Sequence, residues 1–377
     1  MPNNQDTICL SLGIMAWNEE ASIRATLESL FQQSIFSRLS ARHERCEILC
    51  LANGCTDRTA DVAGEIFACM EREHPYADAF VARVIEIPEP GRNNTWNRFV
   101  HEFSSTQARF IYLMDADIIF HRRETLYNLM ATLERKPRAC VSTGSQYKHI
   151  LFKPRRTLQD RISLATSDLN NTIEGRFSGQ LYCMRAKTAH NLLLPRDLGA
   201  TDDGFFKAVI CTDFLTGELD PSHIAVAPNA THIFEAYVTP REVLNNQKRQ
   251  MIGQTGVHVL LQYLQTRPLA ERMNLAETLR ERERTDPDWL KKLIENHVRA
   301  ARHFWQLFPG VLTFRFARLW KLRGLRKITH LPATLVGFTV TLISCWRAFR
   351  FLRRGLTQYW PKAGRQTILN ASQLRTE

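Results

Sequence analysis

The chain has 377 residues, 44% hydrophobic and 23% charged, a composition that suits a globular protein with a real core and excludes a disordered one. The net charge of +12 is concentrated at one end: residues 299–377 hold fifteen Lys or Arg and one acidic residue, so this end carries +14 and residues 1–298 carry −2. The nine cysteines include no Cys-x-x-Cys pair and read as small buried hydrophobes of a reducing compartment. Residues 1–6 show neither the basic nor the apolar region of a secretory signal, so a cytoplasmic protein is expected.

Strand-like and helix-like stretches alternate over the first 150 residues. Residues 7–17 predict a buried strand, and residues 20–33 a helix with Ile23, Leu27, Leu30 and Phe31 on one face. A second strand follows at 47–52, then a helix at 57–70 with Thr56 or Asp57 as N-cap. A third strand at 80–87 is closed by Pro88 and Pro90, a helix is expected at 93–103, and a fourth strand at 110–114 ends in Asp115 and Asp117. This alternation predicts an α/β fold, a mostly parallel sheet covered on both faces, with ligands at the carboxyl ends of its strands. Shorter strands are expected at 139–145, 179–185 and 223–226, a helix from Pro240, and further helices over 257–305.

Residues 331–346 are free of charge, with basic residues on both sides. A spanning helix needs about twenty apolar residues. Positive flanks on both sides fit better with a segment lying in or dipping into an anionic leaflet, the alternative being a buried core helix. Phe, Leu and Trp dominate between the charges, which argues against a nucleic-acid tail.

Three loops carry candidate chemistry. Asp115-Ala116-Asp117 at the end of an apolar strand offers two carboxylates to one hard cation, Mg²⁺ or Mn²⁺, which would bridge to a diphosphate. Asn18-Glu19-Glu20 after the first strand holds a ribose or base, or caps a helix. Asn53-Gly54-Cys55-Thr56-Asp57 after the second supplies a tight turn with Asn53 and Asp57 turned to a base edge, or with Asp57 as N-cap.

In order and rough spacing these three, with Gly91-Arg92-Asn93-Asn94-Thr95-Trp96-Asn97, resemble the family 2 glycosyltransferases over about residues 7–260. The resemblance implies the GT-A fold and inverting transfer from a nucleotide-diphosphate sugar, with UDP the favoured carrier. It implies that Glu19, Asn53 and Asp57 line the nucleotide, that Arg92 and Asp115 lie near the donor, and that Asp115 and Asp117 form the metal-binding Asp-x-Asp. Gly179–Arg185, with Gln180 and Tyr182, is similar to the family's acceptor side. Asp202-Asp203 resembles its Glu-Asp motif, whose second residue is the general base; this carries the role to Asp203, with Asp202 where the family has Glu. Processive members carry Gln-x-x-Arg-Trp where this chain has Gln247, Gln250 and Met251, which argues against polymer synthesis. Arg249 is left to contact the diphosphate on the acceptor side, or to lie on a solvated helix face.

The expected organisation is a GT-A catalytic domain over 1–260, a helical extension over 261–329 and a basic, apolar membrane-associating tail over 330–377. The expected partners are a UDP-sugar, a hydroxyl acceptor (lipid-linked or a glycan) and an anionic membrane surface. Two other readings compete: a sugar nucleotidyltransferase, which would show a Gly-rich basic loop after the first strand, and a non-catalytic nucleotide-sugar-binding or membrane scaffold protein.

Overall fold

A computed structural model describes residues 8–157, 160, 163–164, 177–199, 201–237, 239–308, 310–321, 324 and 326–357. Residues 358–377 of the expected tail lie outside the described residues.

The strands are β1 (Ile8–Ala16), β2 (Arg45–Asn53), β3 (Phe80–Ile87), β4 (Phe110–Asp115), β5 (Ile118–Phe120), β6 (Val141–Lys148), β7 (Leu181–Arg185) and β8 (Ile224–Phe234). They form one sheet in the order β3-β2-β1-β4-β7-β6-β8-β5. The β3-β2-β1-β4 half is parallel throughout. The other half is mixed: β7 runs antiparallel to β4 and β6, β8 is parallel to β6, and β5 is antiparallel to β8.

Strand alternation sorts the side chains into two cores. Leu10, Leu12, Ile14, Ile48, Cys50, Tyr112 and Met114 face one core, with helices α1 (Ile23–Phe31), α2 (Ile35–Ala41), α3 (Thr59–Glu73) and α5 (Thr125–Arg135) packed on them. Met15, Leu49, Leu51, Ile111, Leu113, Tyr182 and Met184 face the other, which is covered by α4 (Arg92–Arg98) and by C-terminal helices. Both faces are thus buried, which explains the continuous apolar runs that mark these strands in the sequence. The α/β class with a helix-flanked sheet is as expected.

The remaining helices are α6 (Ala186–His190), α7 (Asp202–Ile210), α8 (Pro240–Gln265), α9 (Leu269–Met273), α10 (Leu275–Thr285), α11 (Trp289–Ala300), α12 (Phe304–Leu307), α13 (Phe314–Lys321) and α14 (Arg326–Leu352). A capping box opens α8: Thr239 Oγ1 accepts from Glu242 N, Glu242 Oε2 accepts from Thr239 N, and Pro240 takes the first helical position. The boundary expected after residue 260 falls inside α8. Leu260 and Leu264 share one core with Leu279, Ile294, Cys345, Ala348 and Leu352, so α10, α11 and the end of α14 belong to the same packed body as the sheet. All nine cysteines are free thiols.

Two glycines of α8 bring it down onto the loop before α7. A Cβ at Gly253 would meet Thr201 Cγ2 at 2.7 Å, and one at Gly256 would meet the Leu198 carbonyl oxygen at 2.7 Å. Gly256→Ala gains about 1 kcal/mol of helix propensity but overpacks a backbone contact, which costs about 1–3 kcal/mol. The expected net result is a lowered thermal midpoint in calorimetry; an unchanged or raised midpoint removes the close-approach role.

Candidate active site

The sheet register sets the loops side by side. Met15 pairs with Asp115, Ala16 with Ala52, and Asn53 with Ile87, so the loops after β1, β2, β3 and β4 leave the same edge at the carboxyl ends of the strands.

The first two loops are latched by their own polar groups. Asn18, at φ 56°, accepts the Thr56 amide on Oδ1 at 2.7 Å. Asp57 Oδ2 accepts from Glu20 N at 3.2 Å, while its Oδ1 accepts from Thr59 N at 3.1 Å. Glu20 Oε2 returns the contact by accepting from Arg58 N at 3.2 Å. Glu19 is half-buried, donates its amide to Thr59 Oγ1 at 2.7 Å, and accepts Ser22 Oγ–H on Oε2 at 2.7 Å. Asn53 Oδ1 accepts from Gly91 N at 3.0 Å, joining the β2 loop to the start of α4. The structure therefore gathers Glu19, Asn53 and Asp57 on one edge, and it uses the Asn53 and Asp57 acceptors to hold the loops.

Arg92 opens α4 and reaches across the strand ends. Its Nη1 donates to Asp115 Oδ1 at 2.7 Å, its Nε to Asp202 Oδ2 at 3.2 Å, and its Nη2 to the Gly179 carbonyl at 3.0 Å. The three side chains are 17%, 20% and 9% exposed. Burial works against the guanidinium charge, and the two carboxylates outweigh it, holding the Arg92 pKa well above its ordinary value. Asp115 N donates to the Gln180 carbonyl at 2.9 Å, so the backbone of 179–180 braces both partners.

Asp117 lies in the turn between β4 and β5. Burial, then the neighbouring Asp115 charge, pushes its carboxyl up to about 7. Burial also raises Asp115, against the pull of Arg92. Asp202 is buried at the first turn of α7, whereas Asp203 is solvent-accessible yet closely surrounded by protein. That crowding, together with the Asp202 charge, pushes the Asp203 carboxyl up to about 6. Arg249 on α8 acts electrostatically on Asp115 and Asp203, which places it among the site charges.

Tyr182 is corrected by the structure. It is 1% exposed, turned inward by the alternation of β7, and its hydroxyl accepts the Trp96 indole N–H at 2.8 Å. It supports the floor of the site and does not present a hydroxyl to an acceptor. Sequence reasoning missed Glu235 and Tyr237, which follow β8: Glu235 acts on Asp117, and burial raises the Tyr237 pKa beside Arg249 and Asp117. An acidic and an aromatic residue just after a strand end, ahead of a capped helix, were the available signal.

The donor set fits a divalent cation. Asp115 and Asp117 are hard oxygen donors, both raised by burial, and each carries a neighbouring carboxylate's charge that a cation would relieve. Among the described residues no group of three or more His, Cys, Asp or Glu side chains is gathered as a metal site.

Arg92→Met leaves Asp115 and Asp202 without their buried cation, and breaking such a pair costs about 3–5 kcal/mol. The expected result is a lowered chemical-denaturation midpoint; a wild-type midpoint rules out the bridge as a stabilising element.

The comparisons with known proteins bear on this geometry. No match was found among curated proteins. Among solved structures, S. aureus TarS 1-349 is 15% identical, with 97% of this chain and 95% of that chain covered at a TM-score of 0.43. The same protein in complex with UDP-GlcNAc is 15% identical, with 93% of each chain covered at a TM-score of 0.42. Glucosyl-3-phosphoglycerate synthase from Mycobacterium tuberculosis in complex with Mn²⁺, UDP and phosphoglyceric acid is 17% identical, with 70% of this chain and 81% of that chain covered at a TM-score of 0.43. Residues 11–189, which include the latched loops, Arg92, Asp115, Asp117 and the strand bracing them, match the family described as Glycosyl transferase family 2.

Proposed function

We propose that the chain transfers a glycosyl group, with inversion, from a nucleoside-diphosphate sugar (a UDP-sugar) to an acceptor hydroxyl, with Asp203 as general base. The observation that carries this reading is the paired carboxyl groups at the start of α7. Asp202 is buried and bound by Arg92, while its neighbour Asp203 is accessible with its pKa raised to about 6. One is placed to be held and the other to exchange a proton. This supports Asp203 as the base and a positioning role for Asp202.

Asp203 would take the acceptor hydroxyl proton as that oxygen attacks the anomeric carbon from the face opposite the diphosphate. On this reading the Arg92 cation, fixed against Asp115, would stabilise the negative charge gathering on a diphosphate leaving group. Arg249 adds a second cation to the same neighbourhood. Asp115 and Asp117 would hold Mg²⁺ or Mn²⁺, and such an ion supplies Lewis-acid charge to a departing diphosphate. The complexes of the compared structures with UDP, UDP-GlcNAc and Mn²⁺ support a uridine carrier and a divalent cation. The basic, apolar C-terminal helices support a seat at a membrane, peripheral or C-terminally anchored, and with it a lipid-linked or glycan acceptor.

Asp203→Asn is expected to lower kcat by about 10²–10⁴-fold while leaving UDP affinity unchanged. The base acts only when deprotonated, so wild-type activity rises with pH through about 6 and is lost below it. Single-turnover rates across that range test both points; full activity in the variant assigns the base elsewhere.

Calorimetric titration with UDP, GDP, dTDP and CDP, each with and without Mn²⁺, tests the donor. Tight UDP binding only with metal, abolished in Asp117→Ala, is expected. Binding of UDP that ignores both the metal and the substitution overturns the Asp115/Asp117 assignment, and no nucleotide binding at all favours the scaffold reading.

A further inference from the structure

We infer that α13 and α14 form a hairpin that lies in the plane of an anionic bilayer surface, inserting one apolar face, and that α14 does not cross the membrane. The inference rests on the membrane seat proposed above and decides its geometry.

Helix α14 contains a stretch, His330–Leu352, long and apolar enough to span a membrane by length and composition. Its two sides differ. Ile328, Leu331, Leu335, Val336, Ile343 and Trp346 are exposed, at 42–68%, and recur at helical spacing on one side. On the opposite side Thr341, Ser344, Cys345, Ala348 and Leu352 are buried.

The buried side is bonded to the catalytic body. Arg347 donates to Asn245 Oδ1 at 3.0 Å, and the Lys248 ammonium sits 4.0 Å from the Phe351 ring centroid. Crossing a bilayer would strip these contacts and carry Arg347 and Arg350 into hydrocarbon. An apolar stripe along one side of a helix whose other side is fixed to protein is the pattern of an interfacial helix.

The front of the hairpin is braced by Phe316 against Phe338, ring centroids 5.1 Å apart, and by Arg315 donating to Thr341 Oγ1 at 2.9 Å. Trp320, 71% exposed, stands beside the Lys327 ammonium at 5.1 Å, an aromatic–cation pair suited to the headgroup layer. Arg318, Arg350, Arg353 and Arg354 are exposed around the apolar residues, and the single acidic residue after position 298 is Glu377. That charge selects an anionic lipid surface over a second copy of this equally basic hairpin.

The test is flotation of the full-length protein with vesicles of phosphatidylglycerol and phosphatidylcholine, against vesicles of phosphatidylcholine alone. Binding to the anionic vesicles is expected, weakened by salt and released by alkaline carbonate. Leu335→Glu combined with Val336→Glu is expected to lower the bound fraction roughly tenfold or more. Both residues are exposed, so thermal midpoint and UDP affinity should stay at wild type. Binding that resists carbonate overturns the in-plane geometry and leaves the membrane seat standing. No binding to either vesicle overturns both. A dimer in light scattering, dissolved by the same double substitution, gives the face to a second copy of the chain and also overturns the proposal.

Discussion

A guanidinium taken out of water is the constraint around which the site is built. Arg92 is held by Asp115 at the end of β4, by Asp202 at the start of α7 and by the carbonyl of Gly179 before β7. Removing such a charge from water costs several kcal/mol, and that cost is offset only when strong partners sit at close range. Three segments distant in sequence must therefore arrive together. The start of α4 is positioned by Asn53 through Gly91 N, and the end of β4 by the Gln180 carbonyl. The start of α7 is positioned by the α8 glycines beneath it. The proposed donor side and the proposed base side share one cation, so a displacement on either side is felt on the other.

The same constraint separates the four aspartates. Asp115 and Asp202 are engaged by Arg92, whereas burial and a like-charged neighbour raise Asp117 and Asp203 to about 7 and about 6. Two adjacent-carboxylate motifs of similar appearance in the sequence thereby acquire different chemistry. One combines a bound carboxylate with a group that needs a positive partner. The other combines a bound carboxylate with a group able to exchange a proton near neutral pH.

Much of this architecture was legible in the sequence because it is local. Strands β1 to β4 are largely apolar runs, interrupted by Glu47 in β2 and by Arg83 and Glu86 in β3, and the loops after them carry their polar residues within a few positions. What escaped depends on distant contacts. The Arg92–Asp202 bond joins positions 110 residues apart, and nothing local at Arg92 names its partner. Tyr182 looked like an acceptor contact until strand alternation turned it inward. The strand expected at 223–226 in fact runs on through Ala227-Pro228-Asn229 to Phe234. The sheet absorbs this tripeptide as an irregularity in the β6–β8 register, with Asn229 at φ 56°. Helix α2 was missed because it is short, and β5 because three residues carry no periodicity.

The chain's basic end also read as an appendage, since its charge and hydropathy differ from the body. Physically it is continuous with the site. Helix α14 packs along α8 through Arg347 and Asn245, and Gly253 and Gly256 seat α8 on Thr201 and Leu198, just before Asp202. Thr357, just past α14, donates to Asp197 at 3.4 Å. A few tightly packed contacts thus separate the apolar face of α14 from the proposed base, and close-packed interiors transmit displacement rather than absorb it. On the in-plane geometry inferred above, the height of Asp203 over the lipid surface is set by these contacts. A bilayer-embedded acceptor would therefore meet the base at a depth fixed by the α8–α14 packing rather than by a flexible tether.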